Sequence, residues 1–250
     1  MQNIDSTYFA LYLAMIGFSA AILLYWRFER TLSNPVLLYS AVAYFGAITL
    51  KIVFQYPTAS RFIEAFGYAT IPGGLYLGHQ TSILEVGAAY LLARVAVSRR
   101  KFSIKDAEGY GMGLGFWENG VFVGILGLVS VFATYLSIQR SSLSQAAYAS
   151  IVQAEPQLFY PVFQALPFVA FTLLERISSL LLHFSWGCLC VLAAVLRKRT
   201  YVVAAFPMGL IDTLVPFESN LTLPVFEAIV FVIALVCLSA TLLTVRVRGK

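Results

Sequence analysis

The chain has 250 residues, 60% of them hydrophobic and only 12% charged, against roughly 25% charged in a soluble domain. A soluble fold of this length could not hide so much apolar surface, so composition excludes a water-soluble globular protein. The net charge of +5 is no nucleic-acid footprint, because the basic residues cluster in loops beside apolar runs, and no nucleic-acid partner is expected.

Seven apolar runs reach the roughly 20 residues needed to cross about 30 Å of hydrocarbon as α-helix. They fall near Tyr8–Trp26, Val36–Phe54, Ile71–Val97, Tyr110–Ile138, Phe168–Leu196, Tyr201–Phe217 and Leu223–Val245. The N-terminus lacks a basic n-region and a small-residue cleavage site, so the first run is expected to remain a membrane span. Arg27 and Arg30 follow the first run, Arg99, Arg100, Lys101 and Lys105 the third, Arg197–Arg199 the fifth, and Arg246, Arg248 and Lys250 the seventh. The opposite side keeps only Arg61 and Arg140 in its loops, with Lys51 and Arg176 read as lying near helix ends. By the positive-inside rule the N-terminus is outside and the C-terminus cytoplasmic. The expected fold is an all-α bundle of seven transmembrane helices forming a single domain over residues 1–250, multi-pass in the cell membrane and partnered by the lipid bilayer. The longest outer loop, Gln139–Pro167, carries Pro156, Pro161 and Pro167 with several aromatics and is expected to be interfacial or re-entrant. The cysteines, Cys188, Cys190 and Cys237, all lie in apolar runs and read as small packing residues.

Four polar residues, Glu85, Glu118, His183 and Asp212, interrupt the third, fourth, fifth and sixth runs. A charge in hydrocarbon costs at least about 2.5–3.5 kcal/mol on insertion scales. At 1.5 Å rise per residue, Glu85 lies roughly 20 Å from Ser98, Glu118 roughly 18 Å beyond Asp106, His183 about 21 Å from Arg197 and Asp212 about 18 Å from Thr200. The four therefore share one stratum within residues 71–217. Such a layer is either a site, with His183 and carboxylates on a metal or moving protons, or a set of hydrogen-bond and ion-pair contacts that fix the bundle. A single histidine is thin for zinc, and the chain has no His-Glu-x-x-His motif.

The fourth run opens with glycine at positions 109, 111, 113 and 115. Gly111 and Gly115 make a Gly-x-x-x-Gly face along which another helix can approach. Glu175 and Arg176 lie roughly 31–33 Å from Arg197, which places them at the outer boundary as a structural ion pair. His79 reads as an interfacial hydrogen-bonding residue, Arg94 as a snorkelling side chain, and Trp26 as an interfacial anchor. The last run contains no lysine for a retinal, and no paired repeat supports a transporter.

The order Leu84-Glu85-Val86-Gly87, Gly111-Met112-Gly113-Leu114-Gly115-Phe116-Trp117-Glu118, Glu175-Arg176 with His183, then Asp212 resembles the YhfC family, from about Gln80 to the C-terminus. Its members are regarded as intramembrane metalloproteases, related to the CAAX-protease and bacteriocin-processing group and to PrsW-type proteases. The tract Leu182-His183-Phe184-Ser185-Trp186-Gly187 is also similar to the anterior-pharynx-defective subunit of gamma-secretase, a seven-span scaffold. The resemblance implies a hydrolase in which His183, Glu118 and Asp212 hold a metal, Zn2+ for choice, and Glu85 activates water. Four positions depart from the family pattern. Leu84 and Ala88 replace a glutamate and an arginine, and Leu114 and Met208 stand where histidines are expected. Methionine cannot stand in for histidine on a hard or borderline cation. The departures favour a degenerate, non-proteolytic member acting as a membrane scaffold or complex subunit, with other membrane proteins as partners. The alternative is an active metalloprotease-type hydrolase that uses a metal-bound water on transmembrane substrates.

Overall fold

A computed structural model describes residues 4–5, 7–29, 32–140 and 143–248; Arg30 and Lys250, counted above among the flanking basic residues, lie outside them. Among the described residues, seven helices are long and apolar enough to span a bilayer. They are α1 (Tyr8–Glu29), α2 (Asn34–Phe66), α3 (Ile71–Ser98), α4 (Ile104–Gln139), α5 (Val162–Leu196), α6 (Arg199–Glu218) and α7 (Leu223–Arg246). No strand occurs among the described residues.

Helix starts follow from capping. The Ser33 and Thr70 hydroxyls accept from the backbone N–H of Val36 and Gly73, each with a proline in the first turn, where its missing N–H leaves no bond unmade. Ser103 and Asp106 form a reciprocal capping box that starts α4 earlier than the apolar run suggests. The ends of α2 and α5 use left-handed turns, Gly67 at φ 81° and Arg197 at φ 54°.

Two helices are longer than expected, because neither Pro57 nor Pro167 ends its helix. Proline is tolerated inside membrane helices where local adjustments serve the freed carbonyl, and α2 and α5 run on through Pro57 and Pro167. Lys51 is consequently not near a helix end but in the middle of the 33-residue α2. The loop 139–167 shrinks in the same way: Gln145–Ala154 is helical, Pro156–Phe159 forms a 3-10 turn, and α5 begins at Val162.

The α5 helix is the hub. Its apolar window is 78% buried, whereas no other span exceeds 33%. Alternate glycines let α4 sit against it. Residues two apart on a helix point to nearly opposite sides, so the four glycines serve two neighbours. A Cβ on Gly111 would lie 2.4 Å from the Phe184 carbonyl oxygen, and one on Gly115 would lie 3.3 Å from the Leu180 Cα, both on α5. A Cβ on Gly113 would lie 2.3 Å from Ser40 Oγ, and one on Gly109 would lie 2.9 Å from Leu32 Cδ1, toward the α2 side. From α5, Gly187 returns the contact: its Cβ would lie 2.5 Å from the Gly111 Cα. The close approach extends the family-like tract 182–187 directly under the glycine motif. Cys188 and Cys190 are buried, free thiols in the same packing layer, as expected of small packing residues.

Because backbone atoms cannot swing aside, Gly187→Ala and Gly111→Ala should each lower unfolding stability by about 1–3 kcal/mol through overpacking. Gly87→Ala, where nothing lies within 4 Å of the added carbon, should be neutral or slightly stabilising. Thermal unfolding in mild detergent checks the contrast.

Candidate functional site

Three of the four layer residues sit on turns that depart from α-helix. Glu85 lies in the π-helical segment Thr81–Val86 and Glu118 in the π-helical segment Trp117–Ile125. Asp212 lies in the 3-10 segment Leu210–Thr213, which follows Pro207 in α6. Widened or tightened turns change where side chains project around the helix axis, and π-turns recur at functional positions. Only His183 projects from regular α-helix, on the buried hub.

The four groups converge. His183 stands between two carboxylates: Nδ1 is 2.9 Å from Glu118 Oε2 and Nε2 is 3.5 Å from Glu85 Oε2. Its Nδ1 also lies 3.0 Å from the Ser179 carbonyl, one turn earlier on α5, and the Ser179 hydroxyl donates to Glu118 Oε2 at 2.5 Å. Rings of Tyr44 and Trp186 flank the imidazole, with centroids 6.1 and 4.2 Å away. On the other side of Glu85, Lys51 Nζ donates to Glu85 Oε1 at 2.9 Å, to Thr81 Oγ1 at 2.7 Å and to Asp212 Oδ2 at 3.3 Å. An ammonium has three donors, and all three are used. The Thr81 hydroxyl donates its own hydrogen bond to Asp212. At the far end Arg176 Nη1 lies 3.6 Å from Glu118 Oε1, while Nη2 pairs with Glu175. The result is one chain of polar contacts, Glu175–Arg176–Glu118–His183–Glu85–Lys51–Asp212, that ties together α2, α3, α4, α5 and α6. It borders a cavity of about 280 Å³ whose other walls include Tyr44, Phe122, Trp186 and Phe226.

Lys51, Thr81 and Ser179 are members of this network that sequence reasoning missed. Ending the second run at Phe54 put Lys51 at a boundary, but Cβ atoms lean toward a helix N-terminus. In α2 that direction carries the long Lys51 side chain down into the layer. Ser179 could have been found by spacing, since it lies one turn from His183 and shares its face. Arg176 is more than a partner for Glu175, because its guanidinium reaches Glu118. Gly111 and Gly115 do not touch the polar groups' ligands; they let α5 approach, and Gly115 backs the His183 Cβ. The other candidates lie elsewhere. His79 is exposed and bonds the Leu75 carbonyl at 2.8 Å, and exposed Arg94 lies over the Tyr90 ring. Trp26 does not present its N–H as an interfacial anchor would: it packs edge-on against Phe184, and its buried indole nitrogen has no partner among the described residues.

The side chains of the layer are bonded to one another rather than grouped around an ion. Among the described residues no three His, Cys, Asp or Glu side chains are grouped as an ion requires. The trio His183, Glu118 and Asp212 is not assembled as ligands. Asp212 shares the Lys51 ammonium with Glu85, and Glu118 is engaged by Arg176, Ser179 and His183. Met208 is buried and brings no hard donor. His183 Nε2 is buried and makes no hydrogen bond, its nearest carboxylate oxygen being Glu85 Oε2 at 3.5 Å.

Removing one partner of a buried ion pair strands a charge, at a cost of about 3–5 kcal/mol. Lys51→Met should therefore destabilise the protein by about that much, and adding Glu85→Gln should recover part of the loss. Unfolding of the four proteins of this cycle in detergent checks it; simple additivity would refute a shared network.

A family model described as YhfC intramembrane metalloprotease matches residues 12–237 of the chain. No curated protein and no solved structure matches it. The match extends upstream of the motifs that begin at Leu84 and takes in α1 and α2, including Lys51. With seven apolar helices, glycine-mediated packing of α4 on α5, and the polar layer at the family-like positions, the chain is a multi-pass membrane protein that belongs to the YhfC family.

Proposed function

We propose that this YhfC-family protein is a degenerate, non-proteolytic member that serves as a membrane scaffold or complex subunit through its polar layer. The observation that carries this reading is the Lys51 ammonium bonded at once to Glu85, Asp212 and Thr81. A lysine in that place supplies the positive charge that an ion would otherwise bring to the two carboxylates. It also fastens α2 to α3 and α6. With Leu84, Ala88, Leu114 and Met208 at family positions where polar groups are expected, the remaining polar side chains are occupied by one another. A pre-paired layer of this kind orders helices and presents a fixed surface to a membrane partner.

A second reading, a hydrolase working through a metal-bound water, is favoured by His183 Nε2, which makes no hydrogen bond and, in the tautomer protonated at Nδ1, would have a lone pair for an ion. Metal analysis of the protein purified in mild detergent separates the two. The scaffold reading expects sub-stoichiometric metal, unchanged by His183→Ala, together with a membrane partner whose co-purification is lost on Glu118→Ala or His183→Ala. One equivalent of zinc that disappears with His183→Ala would overturn it in favour of the hydrolase.

A further inference from the structure

Beside the central cavity, at the end of the bundle that carries the N-terminus, lies a second hollow of about 230 Å³. Its walls come from α1, α4, α5 and the turn Pro156–Phe159. It shares Val123, Glu175 and Arg176 with the central cavity, so the two adjoin at the Arg176 guanidinium. On its other side it shares Tyr12, Glu155 and Leu158 with a third hollow of about 450 Å³ beneath the helix Gln145–Ala154. The three lie side by side, and the middle one is a vestibule beside the polar layer.

The chemistry of the vestibule is one-sided. Its charged lining residues are Glu155, Glu175 and Arg176, and Arg176 is already divided between Glu175 and Glu118. Acid is therefore in excess, with the Glu155 carboxylate met by the neutral Gln157 amide. Aromatic faces stand beside the carboxylates, with Tyr8 and Phe168 stacked at 5.9 Å and Tyr12 next to them. Carboxylates flanked by aromatic faces suit an organic cation. Tyr8 adds an independent sign: it lines the vestibule, is 2% exposed, and its hydroxyl has no hydrogen-bond partner among the described residues. Buried hydroxyls are nearly always paired, and the unpaired Tyr8 phenol has an oxygen that can accept from an N–H donor. A quaternary ammonium has no N–H to give; a primary ammonium has three.

We propose that the vestibule is a binding site for a small primary ammonium group, held by Glu155, Glu175 and the Tyr8 hydroxyl against the Phe168 and Tyr12 rings. The group can be that of a soluble amine or of an ethanolamine lipid headgroup, which present the same donor. This proposal is independent of whether the polar layer is a scaffold or a hydrolase, because none of these three residues is assigned to a metal or to water activation.

Calorimetric titration of the purified full-length protein in mild detergent tests it with four probes: cadaverine, tetramethylammonium, and short-chain phosphatidylethanolamine and phosphatidylcholine of equal chain length. Saturable binding of cadaverine assigns a soluble amine, and binding of phosphatidylethanolamine alone assigns the lipid; either supports the site. In both cases Glu155→Gln and Tyr8→Phe should each weaken binding about tenfold, as loss of one charge-assisted hydrogen bond does. Unchanged circular dichroism and melting of these variants excludes misfolding as the cause. No saturable binding by either primary amine overturns the proposal, as does equal binding of the quaternary probes or indifference to both substitutions.

Discussion

Hydrocarbon will not hold an unpaired carboxylate, and this chain places Glu85, Glu118 and Asp212 in it. Every distinctive feature of the bundle serves that constraint. Lys51 and Arg176 bring the compensating charge from α2 and α5, and Thr81 and Ser179 fill acceptor and donor positions that the charged groups leave. His183 bridges the two halves. A charge network of this kind adds little net stability over well-packed apolar residues, but it is costly to break. Its value lies in fixing one arrangement of helices, since any other leaves a charge alone.

The backbone bends to the same purpose. Glu85 and Glu118 both lie in π-segments, and Asp212 lies where α6 tightens into a 3-10 turn after Pro207. Close packing of α4 on α5 through Gly111 and Gly187 brings Glu118 within reach of His183. Local geometry and long-range packing thus agree on one point in the bundle, as expected of a sequence whose levels are consistent.

Much of this was legible in the sequence. Counting residues from each basic loop put Glu85, Glu118, His183 and Asp212 in one stratum, and the structure joins them in one chain of contacts. The alternating glycines announced a close helix approach, though not that Gly109 and Gly113 turn toward α2 while Gly111 and Gly115 turn toward α5. Lys51 was not legible, because the apolar run ends at Phe54 while the helix continues to Phe66. Depth counting also treats side chains as points, so a lysine that leans a turn back along its helix falls outside the layer it completes. The π-segments leave no signature in composition or hydropathy, since they change projection rather than residue type.

We propose that a lysine, not a metal ion, holds the carboxylates of the layer. An experimental structure of protein purified in the presence of zinc, with anomalous data collected at the zinc edge, tests it most directly. The account predicts Lys51 Nζ between Glu85 and Asp212 and no anomalous peak in the layer. A peak bonded to His183 Nε2 and flanking carboxylates, with Lys51 turned away, would contradict it.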